Sequence, residues 1–235
     1  MQNKPLHGMF TAVPLYYDRI NRVVTWGMDR KWRNEAAAEC VSARPEKVLD
    51  LCCGTGDLTI SIALLAGKEV EVSGVDYSLP MLEIATEKVK HLAEGKKITL
   101  VHGDASNLPF PSGHFDCIGI SFAFRNLTYR NPLVQCHLAE VLRVLKPGGR
   151  FVIVETSQPD FKLIRRCFHF YLRWFAFRLG YFLSANRGAY QYLAESASQF
   201  YTPEGLKEML LKAGFGQVNY RQLFLGVVAI HIAVK

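Results

Sequence analysis

A glycine-rich turn follows an apolar run that ends in a carboxylate, within residues 48–57 (VLDLCCGTGD). The apolar run predicts a buried parallel strand, and the small residues after it predict a tight turn that opens a helix. Because glycine has no side chain, Gly54 and Gly56 would let a nucleoside-bearing ligand lie against the backbone. A dinucleotide fingerprint needs a third glycine three residues after the second, and Thr59 stands there instead. The spacing therefore argues against a nicotinamide or flavin dinucleotide.

The elements around this turn alternate between strands and helices as far as residue 155, which predicts an α/β fold with a doubly wound, mostly parallel sheet. Two closing segments predict a terminal hairpin with an antiparallel strand. We interpret residues 1–235 as one domain, with an N-terminal helical cap at 1–45 and a helical substrate or membrane insert at 160–200. The predicted strands are 47–51, 70–75, 98–101, 115–121, 151–154, 216–222 and 226–234. The predicted helices are 16–40, 57–65, one capped by Ser78, 132–145 with a stop at Lys146-Pro147-Gly148-Gly149, the aromatic segment 161–183, and 203–213.

Composition fits one such domain. A chain of 235 residues with 49% hydrophobic residues can bury a large core. Its six cysteines show neither a CxxC pair nor a zinc-type cluster, so we expect reduced thiols, a cytoplasmic protein and no metal site. No window is apolar enough for a membrane span, and the N-terminal segment lacks the pattern of a signal peptide. The net charge of +7 includes six basic and no acidic residues at 161–194, a patch that suits nucleic acid, anionic lipid or an acidic substrate.

The spacing D-x-x-x-G-x-G resembles the first motif of class I methyltransferases, which bind S-adenosylmethionine. Ligands of open α/β sheets lie outside the carboxyl ends of the strands, and polar residues end several predicted strands here. Asp76 would accept hydrogen bonds from both ribose hydroxyls, or alternatively stabilise a helix N-terminus. Asp104 would accept from the adenine amino group, or belong to a plain turn. The other expected cofactor-binding residues are Asp50, Gly54, Thr55, Gly56, Tyr77, Ala105 and Ser121.

Three of these residues have more specific expected roles. Ser121 should lie near the sulfonium, and Thr55 should bond the methionine part or else stabilise the turn. Asp50 should orient the turn or the amino group of the ligand. The chain reads FAFRN after Ser121 and lacks the N/D-P-P-Y/F motif that is usual in nucleic-acid amino-methyltransferases. We therefore expect no nucleic-acid substrate.

Longer segments are similar to the ubiquinone/menaquinone biosynthesis C-methyltransferases, from about Tyr17 to Lys235. This resemblance implies S-adenosylmethionine as the cofactor and a polyprenylated quinol as the substrate, methylated on a ring carbon. The compact length and the ETSQP segment are most similar to the branch that converts demethylmenaquinol to menaquinol; a polyprenyl methoxybenzoquinol of ubiquinone biosynthesis is the alternative. The segments that carry the resemblance are DLCCGTGDLT, LPFPSGHFDCIGISFAFRN, LAEVLRVLKPGGRFVIVETSQP, YQYLAES and GVVAIH.

Two alternatives belong to other functional classes. A nicotinamide-dependent oxidoreductase would use the same turn, although the missing third glycine opposes it. A nucleic-acid-binding protein would use the basic patch at 161–194. The sequence leaves a homodimer open.

Methylating a ring carbon requires an electron-rich quinol, so the site must position the ring and stabilise a phenolate. Arg125 is the main candidate for the oxyanion partner, with Asn126 orienting the ring or a water that takes the proton. An arginine cannot be the base at neutral pH, and its alternative role is a structural clamp on the helix at 132–145. His231 and Tyr17 are secondary candidates for relaying the proton, and His231 is alternatively a packed core histidine.

The insert predicts a helix with a basic stripe beside an aromatic face. Such a helix suits the surface of an anionic membrane, the alternative being a core helix with a solvated basic edge. We therefore expect a cytoplasmic protein in peripheral contact with the inner face of the cell membrane. The predicted stripe consists of Lys162, Arg165, Arg166, His169 and Arg173.

Overall fold

Seven strands form one sheet in the order β3-β2-β1-β4-β5-β7-β6 in a computed structural model that describes residues 14–92, 95–176, 178 and 187–235. Strands β1 to β5 are parallel, and β7 pairs antiparallel with both β5 and β6. This confirms the predicted doubly wound sheet with an antiparallel closing strand. The strands are β1 (Lys47–Leu51), β2 (Glu71–Asp76), β3 (Lys97–His102), β4 (Phe115–Ser121), β5 (Leu145–Thr156), β6 (Gln217–Leu223) and β7 (Val228–Val234).

Helices cover both faces of the sheet, which explains why its central strands are apolar throughout. Leu49 and Phe151 enter one apolar cluster, whereas Val48 and Val152 enter the cluster on the other face. The helices are α1 (Pro14–Val24), α2 (Met28–Val41), α3 (Asp57–Leu65), α4 (Leu79–Leu92), α5 (Phe124–Thr128), α6 (Val134–Val144), α7 (Lys162–Tyr171) continued by a π-helix (Leu172–Ala176), α8 (Arg187–Ser198) and α9 (Pro203–Lys212).

The N-terminal cap differs from the prediction of one helix at 16–40. Trp26 and Gly27 have φ values of 55° and 73°, so the chain turns there and α1 and α2 are separate helices. Ser78 precedes the first residue of α4, as predicted, and its carbonyl accepts from the Leu82 N–H at 3.1 Å. Its hydroxyl makes no capping hydrogen bond, because it is buried without a partner among the described residues. The short helix α5, directly after β4, had no signal in the hydrophobic pattern.

Strand β5 is longer than the predicted strand at 151–154. Residues 146–149, which contain the predicted helix stop, belong to β5 itself. Gly148 has a φ of 73°, and its N–H donates to the Lys235 carbonyl at 3.1 Å. The pairing of β4 with β5 shifts register between Phe115 and Cys117. At its far end the longer strand carries Glu155 to the carboxyl edge of the sheet.

The aromatic insert begins as predicted and changes helix type at Leu172. Its last predicted residues fall partly outside the described ones. Across 14–92, 95–176, 178 and 187–235, no helix combines the length and apolarity that a membrane span requires.

Candidate active site

The glycine-rich turn leaves open backbone at the carboxyl edge of β1. Cys53 N–H donates to the Val75 carbonyl at 3.0 Å, which ties the turn to β2. Gly54 and Gly56 have φ values of 54° and 80°, in the left-handed region that favours glycine. A Cβ at Gly54 would meet nothing within 4 Å, whereas one at Gly56 would lie 3.1 Å from the Ala85 Cβ. Gly56 thus permits close packing against α4, and Gly54 leaves room for a ligand.

Asp76 ends β2 beside this open backbone. Its Oδ2 accepts from the Gly54 N–H at 2.8 Å, and its Oδ1 accepts from the Ser78 N–H at 2.8 Å. Burial raises the pKa of the Asp76 carboxyl, and hydrogen bonds from backbone amides oppose that rise. The carboxylate is therefore held in a fixed orientation by backbone amides of Gly54, Tyr77 and Ser78, and its remaining acceptor capacity can take a ligand hydroxyl.

Asp50 lies below the turn rather than in it. Its side chain is buried, and its Oδ2 accepts from the Thr59 hydroxyl of α3 at 2.6 Å. Burial raises the pKa of Asp50 to about 7, against the opposing effect of the Thr59 hydrogen bonds. These contacts favour the loop-orienting alternative for Asp50.

The other expected cofactor residues line the same carboxyl edge. Asp104 closes a turn after β3, where its Oδ1 accepts from the N–H and hydroxyl of Ser106 at 2.9 and 2.8 Å. Tyr77 stacks obliquely on His102, with ring centroids 5.8 Å apart. Ser121 pairs with Val154 at the end of β4. Ala105 follows Asp104 and packs, half-buried, against an apolar cluster.

Thr55 makes contacts that the sequence did not indicate. Its hydroxyl donates to Asp18 Oδ1 of α1 at 2.8 Å and accepts from Lys88 Nζ of α4 at 3.0 Å. Lys88 Nζ also lies 2.6 Å from Asp18 Oδ2 and 2.6 Å from Asp57 Oδ1. The sequence predicts a helical cap here, and its pattern does not indicate that Asp18 of this cap contacts the turn.

Arg125 lies on α5 and forms a buried ion pair with Glu155. The Nη1–Oε1 distance is 2.8 Å, and the two side chains are 6% and 1% exposed. Nη1 also donates to the Phe122 carbonyl at 3.1 Å, and the Arg125 backbone N–H donates to Glu155 Oε2 at 3.2 Å. This ion-pair partner is on β5, whereas the alternative role predicted for Arg125 is a clamp on the helix at 132–145. Glu155 was missed as a site residue, although it stands in the ETSQP segment.

Two buried polar atoms close to this pair have no partner among the described residues. They are the Asn126 side-chain oxygen and the Tyr192 hydroxyl. Burial raises the pKa of Tyr192, so its hydroxyl is a neutral donor at neutral pH, and the Arg125 charge opposes that rise. The Tyr192 ring lies 6.3 Å from that of Tyr129, which brings α8 against the end of α5. A ligand with hydroxyl groups would satisfy both atoms.

His231 is fully buried on β7, and its Nε2 makes a 2.9 Å hydrogen bond with the Pro203 carbonyl. Burial lowers the pKa of His231 to about 4. These contacts favour the packed core histidine over the proton relay. Tyr17 belongs to α1, and its side chain lies outside the described residues. Glu195 of α8 pairs with Arg130 at 3.0 Å and accepts from the Tyr129 hydroxyl at 3.3 Å.

The basic stripe predicted on the insert is only partly correct. Arg165 Nε donates to the Pro159 carbonyl at 2.7 Å, and His169 Nε2 bonds Gln158 Oε1 at 2.7 Å, so both point toward the domain. Phe168 is buried, whereas Phe170 and Trp174 are 65% and 51% exposed and stack at 6.0 Å. The helix is therefore rotated, and its outer face mixes large apolar and basic side chains: Leu163, Arg166, Phe170, Arg173 and Trp174.

Comparison with known proteins places this chain in a family. A profile of the ubiE/COQ5 methyltransferase family matches residues 1–235. A protein of Staphylococcus saprophyticus named demethylmenaquinone methyltransferase is 36% identical over 234 residues, which cover 100% of this chain and 97% of the relative. A protein of Shewanella piezotolerans named ubiquinone/menaquinone biosynthesis C-methyltransferase UbiE is 37% identical over 97% of this chain and 89% of its own.

Solved structures support the same fold. An S-adenosylmethionine-dependent methyltransferase from Aquifex aeolicus aligns with a TM-score of 0.55 at 20% identity, over 80% of this chain and 81% of its own. The [4+2]-cyclase SpnF aligns with a TM-score of 0.68 at 17% identity, over 100% of this chain and 97% of its own. At such identities the likeness concerns the fold alone.

Proposed function

The chain belongs to the ubiE/COQ5 methyltransferase family, and from that premise we propose that it methylates a ring carbon of a polyprenylated quinol, converting demethylmenaquinol to menaquinol. The observation that carries the proposal is the full-length similarity to demethylmenaquinone methyltransferases, at 36% and 37% identity for the relatives from Staphylococcus saprophyticus and Lactiplantibacillus plantarum. The alternative substrate is a polyprenyl methoxybenzoquinol of ubiquinone biosynthesis, which the name of the Shewanella relative supports.

S-adenosylmethionine is the cofactor, and when bound it supplies an electrophilic methyl group. The donor set fits it: Asp76 offers a fixed carboxylate to the ribose hydroxyls, and the open backbone of Gly54 allows close approach. Asp104 and Ala105 would hold the adenine, with Tyr77 beside them. Ser121 lies at the carboxyl end of β4, and the helix that carries Arg125 follows this strand.

Arg125 and Glu155 act as one unit in this proposal. Glu155 accepts two hydrogen bonds from Arg125, one from Nη1 and one from the backbone N–H, so the guanidinium is fixed against the end of β5. A fixed cation in a water-poor site stabilises a phenolate more strongly than a solvated one would. The Asn126 oxygen and the Tyr192 hydroxyl would bind the quinol hydroxyls or the water that removes the phenolic proton.

The outer face of the insert suits a membrane surface. Phe170 and Trp174 present stacked aromatic rings, and Arg178 lies over the Trp174 ring at 5.0 Å. Exposed aromatic side chains flanked by Arg166 and Arg173 match the apolar and basic composition of interfacial helices. We propose that this face contacts anionic lipid at the inner face of the cell membrane, where a polyprenylated quinol would be found.

The proposal is tested with purified protein, S-adenosylmethionine and short-tailed quinols. We expect a methylated product from a chemically reduced demethylnaphthoquinone and little from its oxidised form, because only the quinol ring is electron-rich. A reduced methoxybenzoquinone is the parallel substrate. A higher kcat/KM for the benzoquinol would favour the alternative substrate, and equal turnover of oxidised and reduced rings would contradict the mechanism.

A further inference from the structure

Lys88 joins three elements beside the glycine-rich turn. Its Nζ lies 2.6 Å from Asp18 Oδ2 on α1, 2.6 Å from Asp57 Oδ1 at the start of α3, and 3.0 Å from the Thr55 hydroxyl. The Lys88 and Asp18 side chains are each 27% exposed. At this exposure, solvent screens the ion pairs less than it screens fully exposed ones, and a ligand can still reach the two side chains.

The charges around Lys88 do not balance. Besides its contact with Lys88, Asp57 forms an ion pair with Arg33, with 3.6 Å between Oδ2 and Nη1. The same Arg33 Nη1 lies 2.5 Å from Asp29 Oδ2. The group holds the carboxylates of Asp18, Asp29 and Asp57 and the cations of Arg33 and Lys88, which leaves one negative charge in excess. A partly buried site with excess negative charge favours a ligand that brings a positive group.

The Thr55 hydroxyl cannot serve the cofactor by itself. A hydroxyl has one proton, and Thr55 gives it to Asp18 Oδ1 at 2.8 Å. A ligand group that approaches Thr55 therefore meets the Asp18 carboxylate and the Lys88 ammonium as well. These two side chains carry opposite charges and lie next to each other, as the ammonium and carboxylate of an amino acid do.

We infer that Asp18 and Lys88 bind the methionine end of S-adenosylmethionine, Asp18 its ammonium and Lys88 its carboxylate. The inference rests on the proposed function, since it concerns the same cofactor site. The ligand would exchange one ion pair for two, so the cost of opening the Asp18–Lys88 contact is recovered on binding. Because Asp18 belongs to α1, this end of the ligand also holds α1 against the glycine-rich turn.

Two ligands separate this role from a structural one. S-adenosylhomocysteine carries the complete amino acid, whereas 5′-methylthioadenosine keeps the adenosine and lacks it. We expect Asp18→Asn and Lys88→Met each to weaken S-adenosylhomocysteine binding about tenfold or more, because hydrogen bonds to charged groups are lost. Binding of 5′-methylthioadenosine should change less than about twofold. Calorimetric titration of the full chain gives both values.

The matched control is Lys90→Met on the same helix, because Lys90 pairs with the exposed Glu87 at 2.6 Å, away from the turn. The ratio of the two affinities is independent of the folded fraction, so a destabilised variant still gives an answer. Equal weakening of both ligands, or unchanged binding of S-adenosylhomocysteine, would overturn the inference. Failure of the unmodified protein to bind either ligand would contradict the proposed function instead.

Discussion

Glu155 and Arg125 form an ion pair across the ends of β5 and α5, with 2.8 Å between Oε1 and Nη1 and almost no solvent exposure. Burying two charges costs several kcal/mol per ion, so such a pair is weak evidence of a stabilising role in itself. Glu155 also accepts from the Thr156 hydroxyl at 3.0 Å and from the Thr156 N–H at 2.8 Å. Its position at the carboxyl edge, beside two unsatisfied polar atoms, fits a pair retained for chemistry.

Glu155→Gln should lower both stability and turnover. The substitution keeps the shape but leaves the Arg125 charge buried without a counter-charge, which costs about 3 kcal/mol of unfolding free energy. Urea unfolding measures that loss, and kcat on a soluble quinol measures the effect on chemistry. Glu69→Gln is the control, because Glu69 pairs with Lys97 at 2.9 Å on the surface. Unchanged stability in Glu155→Gln would show that the ion pair does not hold the site.

Arg125→Lys should impair turnover more than cofactor binding. Lysine keeps the charge, but its single nitrogen replaces only Nη1, the atom that contacts both Glu155 and the Phe122 carbonyl. The rest of the planar guanidinium, with the N–H groups of Nε and Nη2 that would face a phenolate, is lost. We expect kcat to fall about tenfold or more, with S-adenosylhomocysteine affinity within about threefold. A kcat within threefold of the unmodified enzyme would mean that Arg125 has only a structural role.

Asp76→Ala should weaken S-adenosylhomocysteine and 5′-methylthioadenosine equally, because both carry the ribose. The loss of charged hydrogen bonds corresponds to roughly 10- to 150-fold in affinity. Asp76 also anchors the Gly54 N–H, so some of this loss comes from a less ordered turn. Asp76→Asn keeps one acceptor oxygen, so its affinity for both ligands should lie between that of the unmodified protein and that of Asp76→Ala. Calorimetry with full affinity for 5′-methylthioadenosine in Asp76→Ala would contradict the ribose assignment.

The apolar runs made the parallel sheet predictable. A strand that is buried on both faces has apolar side chains at successive positions and does not show the alternation of apolar and polar residues that a half-exposed strand shows. The same pattern located Asp76, since a carboxylate that ends a buried run must lie at the edge of the sheet. Helix boundaries near Trp26 and Gly27 were less visible, because the break depends on positive φ values and not on composition.

Side-chain pairs between distant elements were not predictable. Thr55 and Asp18 are 37 positions apart, and their contact depends on how α1 lies on the turn. The pairing of Arg125 with Glu155 depends on β5 lying beside β4 and on the extra residues at its end. The rotation of α7 depends on the Pro159 carbonyl, which draws Arg165 inward. A helical wheel contains none of this tertiary information.

The contribution of His231 to stability should decrease as the pH falls from 6.5 to 4. Burial lowers the pKa of His231 from 6.5 to about 4. In that interval the unfolded chain binds a proton that the folded protein does not, so acid favours unfolding by up to about 3 kcal/mol. His231→Gln keeps a donor for the Pro203 carbonyl and removes the titration. Relative to the unmodified protein, its unfolding free energy in urea should therefore rise as the pH falls.

Asp50 should give the unfolding free energy the opposite dependence on pH, which provides a second test of the titrating buried groups. Its folded pKa is raised to about 7 from 3.8, so the folded protein holds a proton that the unfolded chain has released, and stability falls as the pH rises through that interval. Asp50→Asn should gain stability relative to the unmodified protein from pH 4 to pH 7. Flat difference curves for both variants would show that neither group titrates as its burial implies.

The membrane proposal predicts that reversing charge on the outer face of α7 and its π-helix weakens binding to anionic vesicles. Arg166→Glu with Arg173→Glu removes two basic side chains, each worth roughly 1 kcal/mol near such a surface. Arg165 is left unchanged, because its Nε is held by the Pro159 carbonyl. Sedimentation with phosphatidylglycerol vesicles at low salt measures the loss. The control, Lys68→Glu with Lys97→Glu, changes the net charge equally at the opposite edge of the sheet, where β2 and β3 begin.

Phe170→Ser with Trp174→Ser tests the apolar part of the same face. Both side chains are more than half exposed, so their loss leaves the buried core around Phe168 and Leu172 intact. Turnover of a water-soluble quinol should persist, and turnover of a long-tailed quinol in vesicles should fall, because only the second requires contact with lipid. If both substrates lose activity equally, the outer face supports the active site through folding. In the charge-reversal experiment, equal weakening of vesicle binding by Lys68→Glu with Lys97→Glu and by Arg166→Glu with Arg173→Glu would show that net charge alone accounts for the attraction.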